Sequence, residues 1–127
     1  MINPNSPIHV SVATDYLPEY SDPERRIFTY RYEVTLHNQS EHTAQLLKRH
    51  WLITNDRGKV IHHMRGSGVI GQHPEIPPGA TFRYTSTARV NSPVAAMQGF
   101  YEMIDDRGES FVTEVDPFCL ATPTLVN

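Results

Sequence analysis

Phe28-Thr29-Tyr30-Arg31-Tyr32-Glu33-Val34-Thr35-Leu36-His37 decides the fold class. Phe28, Tyr30, Tyr32, Val34 and Leu36 fall on every second position, with Thr29, Arg31, Glu33, Thr35 and His37 between them. Successive side chains of an extended chain point to opposite faces, so this spacing predicts a strand with one buried and one wetted face. Aromatic and β-branched side chains suit such a pleated surface.

Working outward, Ile8, Val10 and Val12 alternate with His9, Ser11 and Ala13 on the N-terminal side. On the other side, residues 45–54 carry Leu46 and Leu52 on one parity and Trp51 and Ile53 on the other. Apolar groups on both parities predict a strand covered on both faces near its end. Asn55-Asp56-Arg57-Gly58 is a turn, because Asn and Asp bond their own backbone and Gly supplies positive φ. Lys59 to Met64 then reads as the return strand of a hairpin. Residues 81–88 alternate Phe82, Tyr84, Ser86 and Ala88 against Thr81, Arg83, Thr85 and Thr87. Met97, Gly99, Tyr101 and Met103 share a parity, Asp105-Asp106-Arg107-Gly108 is a second turn, and Phe111, Thr113 and Val115 alternate after it. The result is about seven strands with no long amphipathic helix, an all-β sandwich or barrel. Any helix is a single turn around Pro93 to Met97. Gly66 to Gly79, with Pro74, Pro77 and Pro78, reads as a surface loop, since proline donates nothing to a ladder.

The chain has 127 residues, with 11 basic and 14 acidic side chains and a net charge of −3. That length fits one domain over 1–127, with residues 1–7 as a flexible N-terminal tail. A single Cys excludes an internal disulfide framework and a CxxC zinc site. The absence of a long apolar run argues against membrane insertion. Residues 1–7 lack the basic and apolar regions of a secretory signal, so a cytoplasmic location is expected. The slight acidity gives no indication of nucleic-acid binding.

Three constellations invite chemistry. Gly66-Ser67-Gly68-Val69-Ile70-Gly71 matches GxGxxG, but a dinucleotide site needs a helix immediately after it. Pro74 and the Pro77-Pro78 pair forbid that helix. The motif reads as a glycine-rich connection, and a backbone anion nest with Arg65 as its charge partner stays open beside it. His62 and His63 are adjacent and point to opposite faces of a strand, so they cannot chelate together. His50, His62, His63, His73 and Glu75 would meet only through the fold. Scattered structural histidines are the favoured reading, and no metal is assigned. No GxSxG, HExxH or P-loop is present, so no catalytic residue and no cofactor are assigned. Cys119, between Phe118 and Leu120, reads as an inert core thiol. Asp105 and Asp106 read as turn formers, and Trp51 as a core anchor rather than an exposed hot spot. Nine Arg against two Lys, with Arg31, Arg49 and Arg83 on strands, favour planar bidentate contacts.

The chain also resembles the bacterial ApaG proteins. The likeness is carried by Tyr30-x-Tyr32-x-Val34-x-Leu36-x-Asn38, Arg49-His50-Trp51, Gly66-x-Gly68-Val69-Ile70-Gly71-x-x-Pro74 and Ile76-Pro77-Pro78-Gly79. It continues through Phe82-x-Tyr84-Thr85-Ser86, Met97-x-Gly99-x-Tyr101 and Pro117-Phe118-x-Leu120, from about Ile8 to Pro123. The resemblance implies an antiparallel β-sandwich of the fibronectin type III/immunoglobulin-like kind. It implies an association with cobalt resistance and magnesium efflux, a gene beside a diadenosine tetraphosphatase, and related domains in an F-box protein and a DNA polymerase delta partner. No catalytic residue carries over. The expected function is therefore a non-enzymatic protein-interaction module with a protein partner. Its face would be the Gly66–Gly79 loop and the strand surface bearing Arg49 and Arg83, with His73 and Glu75 beside them. The alternative is a small-ligand binder for a divalent cation or a polyphosphate or nucleotide, at Gly66, Gly68, Gly71 and Arg65. A homodimer through an edge strand is a further option.

Overall fold

A computed structural model describes residues 6–123. Eight strands follow in order: β1 (Ile8–Tyr16), β2 (Phe28–Asn38), β3 (Ala44–Thr54), β4 (Val60–Ser67), β5 (Glu75–Ile76), β6 (Thr81–Val90), β7 (Val94–Asp105) and β8 (Ser110–Ala121). Single 3-10 turns at Pro18–Tyr20 and Pro23–Arg25 bridge β1 and β2. One sheet is ordered β1-β2-β6; the other runs β4-β3-β7-β8, with β5 also pairing with β3. Every pairing is antiparallel. This is the fibronectin type III-like sandwich expected, with the two-residue β5 as an addition.

The alternating stretch does what its spacing requires. Phe28, Tyr30, Tyr32, Val34 and Leu36 are all buried on β2, and Ile8 and Val10 of β1 and Tyr84, Ala88 and Val90 of β6 join them. Leu46, Trp51, Ile53, Met97, Tyr101, Met103, Val115 and Leu120 close the core from the other sheet. Full burial of such side chains contributes roughly 1.5–3 kcal/mol each. Trp51 is 2% exposed, with the rings of Tyr32, Tyr101 and Phe118 edge-on or tilted at 5.8–5.9 Å.

Two β-bulges account for readings that alternation alone misplaces. Leu46 pairs with Met103 and Lys48 with Glu102, so Leu47 is an extra residue on β3. The bulge shifts the inward parity from Ala44 and Leu46 to Trp51 and Ile53. The two apolar parities thus reflect a bulge, not the two-sided cover expected. On β8, Met97 pairs with Phe118 and Gly99 with Val115, leaving an extra residue around Asp116-Pro117, where proline has no N–H to offer the ladder. Inward parity passes from Thr113 and Val115 to Leu120, and Cys119 turns out to solvent. The core placement expected for Cys119 is therefore corrected. The one-turn helical option at Pro93 to Met97 is not taken up: Val94 to Met97 begin β7, with Met97 between Ile53 and Phe118.

Both tight turns form as read. The Asn55 carboxamide accepts the N–H groups of Arg57 and Lys59, and the Asp105 carboxylate those of Arg107 and Glu109. Asp106 reaches instead to Thr43 N and His42 Nδ1. Asn38, 0% exposed, ties the end of β2 to the connection before β6: its Nδ2 donates to His42 O and Ile76 O, both at 2.8 Å, and its Oδ1 accepts from Ser40. Of the N-terminal segment 1–7, residues 1–5 lie outside the described residues. Ser6 and Pro7 offer their carbonyls to Gln39, at 2.7 and 2.9 Å.

Candidate functional site

The bulge at Leu47 creates the site. Its carbonyl accepts the Gly68 N–H at 2.8 Å, while the Leu46 N–H donates to Pro74 O at 3.1 Å. The chain thus runs along β3 as β4, leaves it after Ser67 and returns as β5, with Gln45 opposite Glu75 and Ala44 opposite Ile76. β4 and β5 act as one edge strand interrupted by an excursion. The stretch read as an open surface loop therefore carries a strand, and Val69 and Ile76 are each 1% exposed. Proline did not prevent that strand, because β5 is the pair of residues between Pro74 and Pro77.

The excursion closes on itself. Val69 N–H donates to Gln72 O and Gln72 N–H to Val69 O, at 2.9 and 2.8 Å. Ile70 and Gly71 between them have φ of 49° and 70°, the two positive values of a type I′ turn. A Cβ on Gly68 would lie 2.1 Å from Gln72 O, so only glycine fits there. A Cβ on Gly66 would lie 2.6 Å from Arg49 Nη2, because the guanidinium rests on the glycine backbone. No helix follows Gly71; Gln72 begins the return to β5. The N–H groups of Gly68, Val69 and Gln72 are all spent within the chain.

Arg49 is the charge partner that the geometry gives this turn. It is half-buried on the inward side of β3, and its Nη1 donates to Gly68 O at 2.7 Å and Ser67 O at 3.2 Å. Among the described residues no carboxylate lies within ion-pair distance of it, and its Nη2 and Nε have no acceptor. The guanidinium, Tyr32, Tyr84, Ser86, Ser67 and the Val69–Gly71 turn line a recess of about 320 Å³ at the margin between the sheets. Burial pushes the phenols of Tyr32, Tyr84 and Tyr101 up, so all three remain neutral hydroxyls; the Arg49 cation opposes the shift in each. The Tyr84 and Tyr101 hydroxyls meet at 2.5 Å.

The other singled-out residues disperse around this recess. Arg65 lies on the outward face of the larger sheet, opposite His50, in a separate recess with Lys48, Ser67 and Glu102. Gly66 lines that recess too, and Gly71 does not. Arg83 faces out from β6, opposite Thr35, on the other sheet from Arg49. His73 Nε2 meets Ser67 Oγ at 2.6 Å, and Glu75 is exposed beside Gln45. His50 pairs with Glu102 and stacks on Phe100 at 4.2 Å, His62 reaches Arg89 O, and His63 faces out opposite Leu52. Among the described residues, no three His, Cys, Asp or Glu gather as a metal would require. Sequence reading missed Tyr32, Tyr84 and Ser86 as site residues, and included Ile70 only as one position of the Gly66–Gly79 loop. The first three were legible as inward positions of β2 and β6, but not as neighbours of Arg49, which comes from the opposite sheet.

The family model described as the ApaG domain matches residues 18–105, more than half of the chain. The chain belongs to the ApaG family. The protein ApaG of Acidithiobacillus ferrooxidans is 45% identical over 122 residues, covering 96% of this chain and 95% of that one. The protein ApaG of Pseudomonas putida is 46% identical over 123 residues, covering 97% of each. A Bordetella pertussis protein whose crystal structure bears the ApaA name superposes with a TM-score of 0.88 at 39% identity, covering 91% of this chain and 94% of that one. Arg49, the glycine turn, Tyr32, Tyr84 and Ser86 all lie inside the matched ApaG domain, so the recess belongs to the family's own segment. Among the described residues no helix is long and apolar enough to cross a membrane.

Proposed function

We propose that this ApaG protein is a non-catalytic module that binds another protein through the Val69–Gln72 turn. One observation carries the reading. Ile70 is a β-branched residue held at φ 49° and 60% exposed at the tip of that turn. Such a side chain in the left-handed region costs about 1–3 kcal/mol, and strain of this kind is concentrated where a surface does something. Asn or Gly would make the same turn with less strain. An isoleucine there presents an apolar group to solvent on a fixed backbone, as a recognition loop on a rigid scaffold does.

The reading accommodates the association with cobalt resistance and magnesium efflux. The partner, not an ion held by this chain, would connect it to cation transport. In support, His50, His62 and His73 are engaged with Glu102, Arg89 and Ser67. A polyphosphate cradled by the glycine motif has less support, since three of the turn's N–H groups already have partners. The test compares affinity capture from the parent cell by the natural protein and by Ile70→Asn. The substitution should stabilise the fold by about 1 kcal/mol of relieved strain, read as a higher melting temperature. It should also deplete a partner that the natural protein retains. Identical captured proteins from both, or none above background, would overturn the proposal.

A further inference from the structure

We infer that the recess beside the turn receives one carboxylate, the side chain of a glutamate or aspartate presented by the partner. The inference rests on the protein-binding reading above and names the chemistry of the contact. A guanidinium is a planar fork that matches a carboxylate through two parallel N–H donors. In Arg49 one nitrogen is committed to the carbonyls of Ser67 and Gly68, which fixes the plane of the fork, while Nη2 and Nε stay unengaged among the described residues. The guanidinium is held from behind by the Gly66 backbone, so it is oriented before any ligand arrives. Ordering a free arginine would otherwise cost part of the binding energy.

The rest of the lining agrees. Tyr32, Tyr84 and Ser86 supply neutral hydroxyls, which can donate to an anion without repelling it. Val69 and Ile70 supply an apolar wall for the methylenes that carry the carboxylate. Among the described residues no acidic side chain lines the recess. The charge count separates ligand classes: one guanidinium balances one carboxylate, whereas a phosphate group brings roughly −1.5 to −2 and would remain underneutralised. A recess of about 320 Å³ holds an acidic side chain and part of its backbone, with Ile70 at its rim to meet the flanking residues.

The experiment is an NMR titration of the full chain, reading the Arg49 Nε–H and the amides of Val69, Ile70 and Gly71. The probes are N-acetyl-glutamate N-methylamide, its glutamine counterpart and inorganic phosphate. The glutamate probe should produce saturable shifts at these four groups, and the glutamine probe none. Arg49→Lys keeps the charge but loses the fork and should weaken the glutamate probe about tenfold. Since Arg49 also holds the turn, Ser86→Ala gives a second measurement that leaves the Arg49 clamp in place, and it should weaken the same probe. The inference is overturned if no probe saturates, if glutamine matches glutamate, if phosphate binds more tightly than glutamate, or if neither folded variant loses affinity. Should the glutamate probe saturate while capture finds no partner, the recess stands and the protein-binding reading falls. Should capture find a partner lost in Ile70→Asn while the probe fails, the reverse holds.

Discussion

Asn38 shows what one side chain contributes when it is fully enclosed. It has no access to water and uses both halves of its carboxamide, joining His42, Ser40 and Ile76 across three connections. Asn38→Ala removes the side-chain donor to the buried Ile76 carbonyl, one of the two donors to His42 O and the acceptor of the Ser40 N–H, and should cost about 3 kcal/mol, read as a lower urea midpoint at unchanged slope. In sequence, Asn38 lies one residue beyond the alternating stretch and stands out only as part of the ApaG likeness. Its role depends on Ile76, 38 residues later, and no local pattern reports a partner that distant. The same limit applies to Arg49: its place on a strand was legible, but its seat on Gly66 was not. Conversely the Asn55 and Asp105 turns were fully legible, because each carboxyl or amide bonds N–H groups within four residues of itself.

At the level of elements, alternation located seven strands, and failed where an extra residue intervened. Leu47 and the Asp116-Pro117 step each reverse which side faces inward, and reversals of this kind mislead any reading that assumes an unbroken period of two. The glycine motif is followed by no helix, as its prolines require, while the return strand β5 is not legible in sequence because two residues between prolines carry no periodicity. A direct test is insertion of one alanine between Lys48 and Arg49. With that residue added, the single bulge at Leu47 no longer lets Ala44 and Leu46 share the inward face with Trp51 and Ile53. Loss of the burial of Ala44 and Leu46 should cost about 3–4 kcal/mol. Deletion of Leu47 leaves all four on one parity and should cost much less, and thermal melts of the two variants measure the difference.

Across the whole molecule, the core is closed by phenols as well as hydrocarbons. Burial raises Tyr30 to about 12 and pushes Tyr84 and Tyr101 up as well. An unfolded chain would ionise the same groups near pH 10. The folded state therefore binds more protons above that pH, and stability falls as pH rises. The contribution is intact below pH 10 and lost progressively through about pH 12, at roughly 1.4 kcal/mol per pH unit for each phenol kept neutral. Unfolding midpoints should be level up to pH 9 and drop steeply above 10. Tyr84→Phe should flatten the decline, because its hydroxyl no longer titrates.

The excursion from β4 to β5 is clasped at its base by adjacent residues of β3, Leu46 and Leu47, and what lies between those two clasps is free of the sheet's ladder. Its length is thus uncoupled from the scaffold. The entropy of closing a loop grows only slowly with added residues, so foreign peptides spliced in place of Ile70-Gly71, with the buried Val69 kept, can be displayed without re-engineering the sandwich beneath. Descendants of this chain have the same latitude to change what they recognise one insertion at a time.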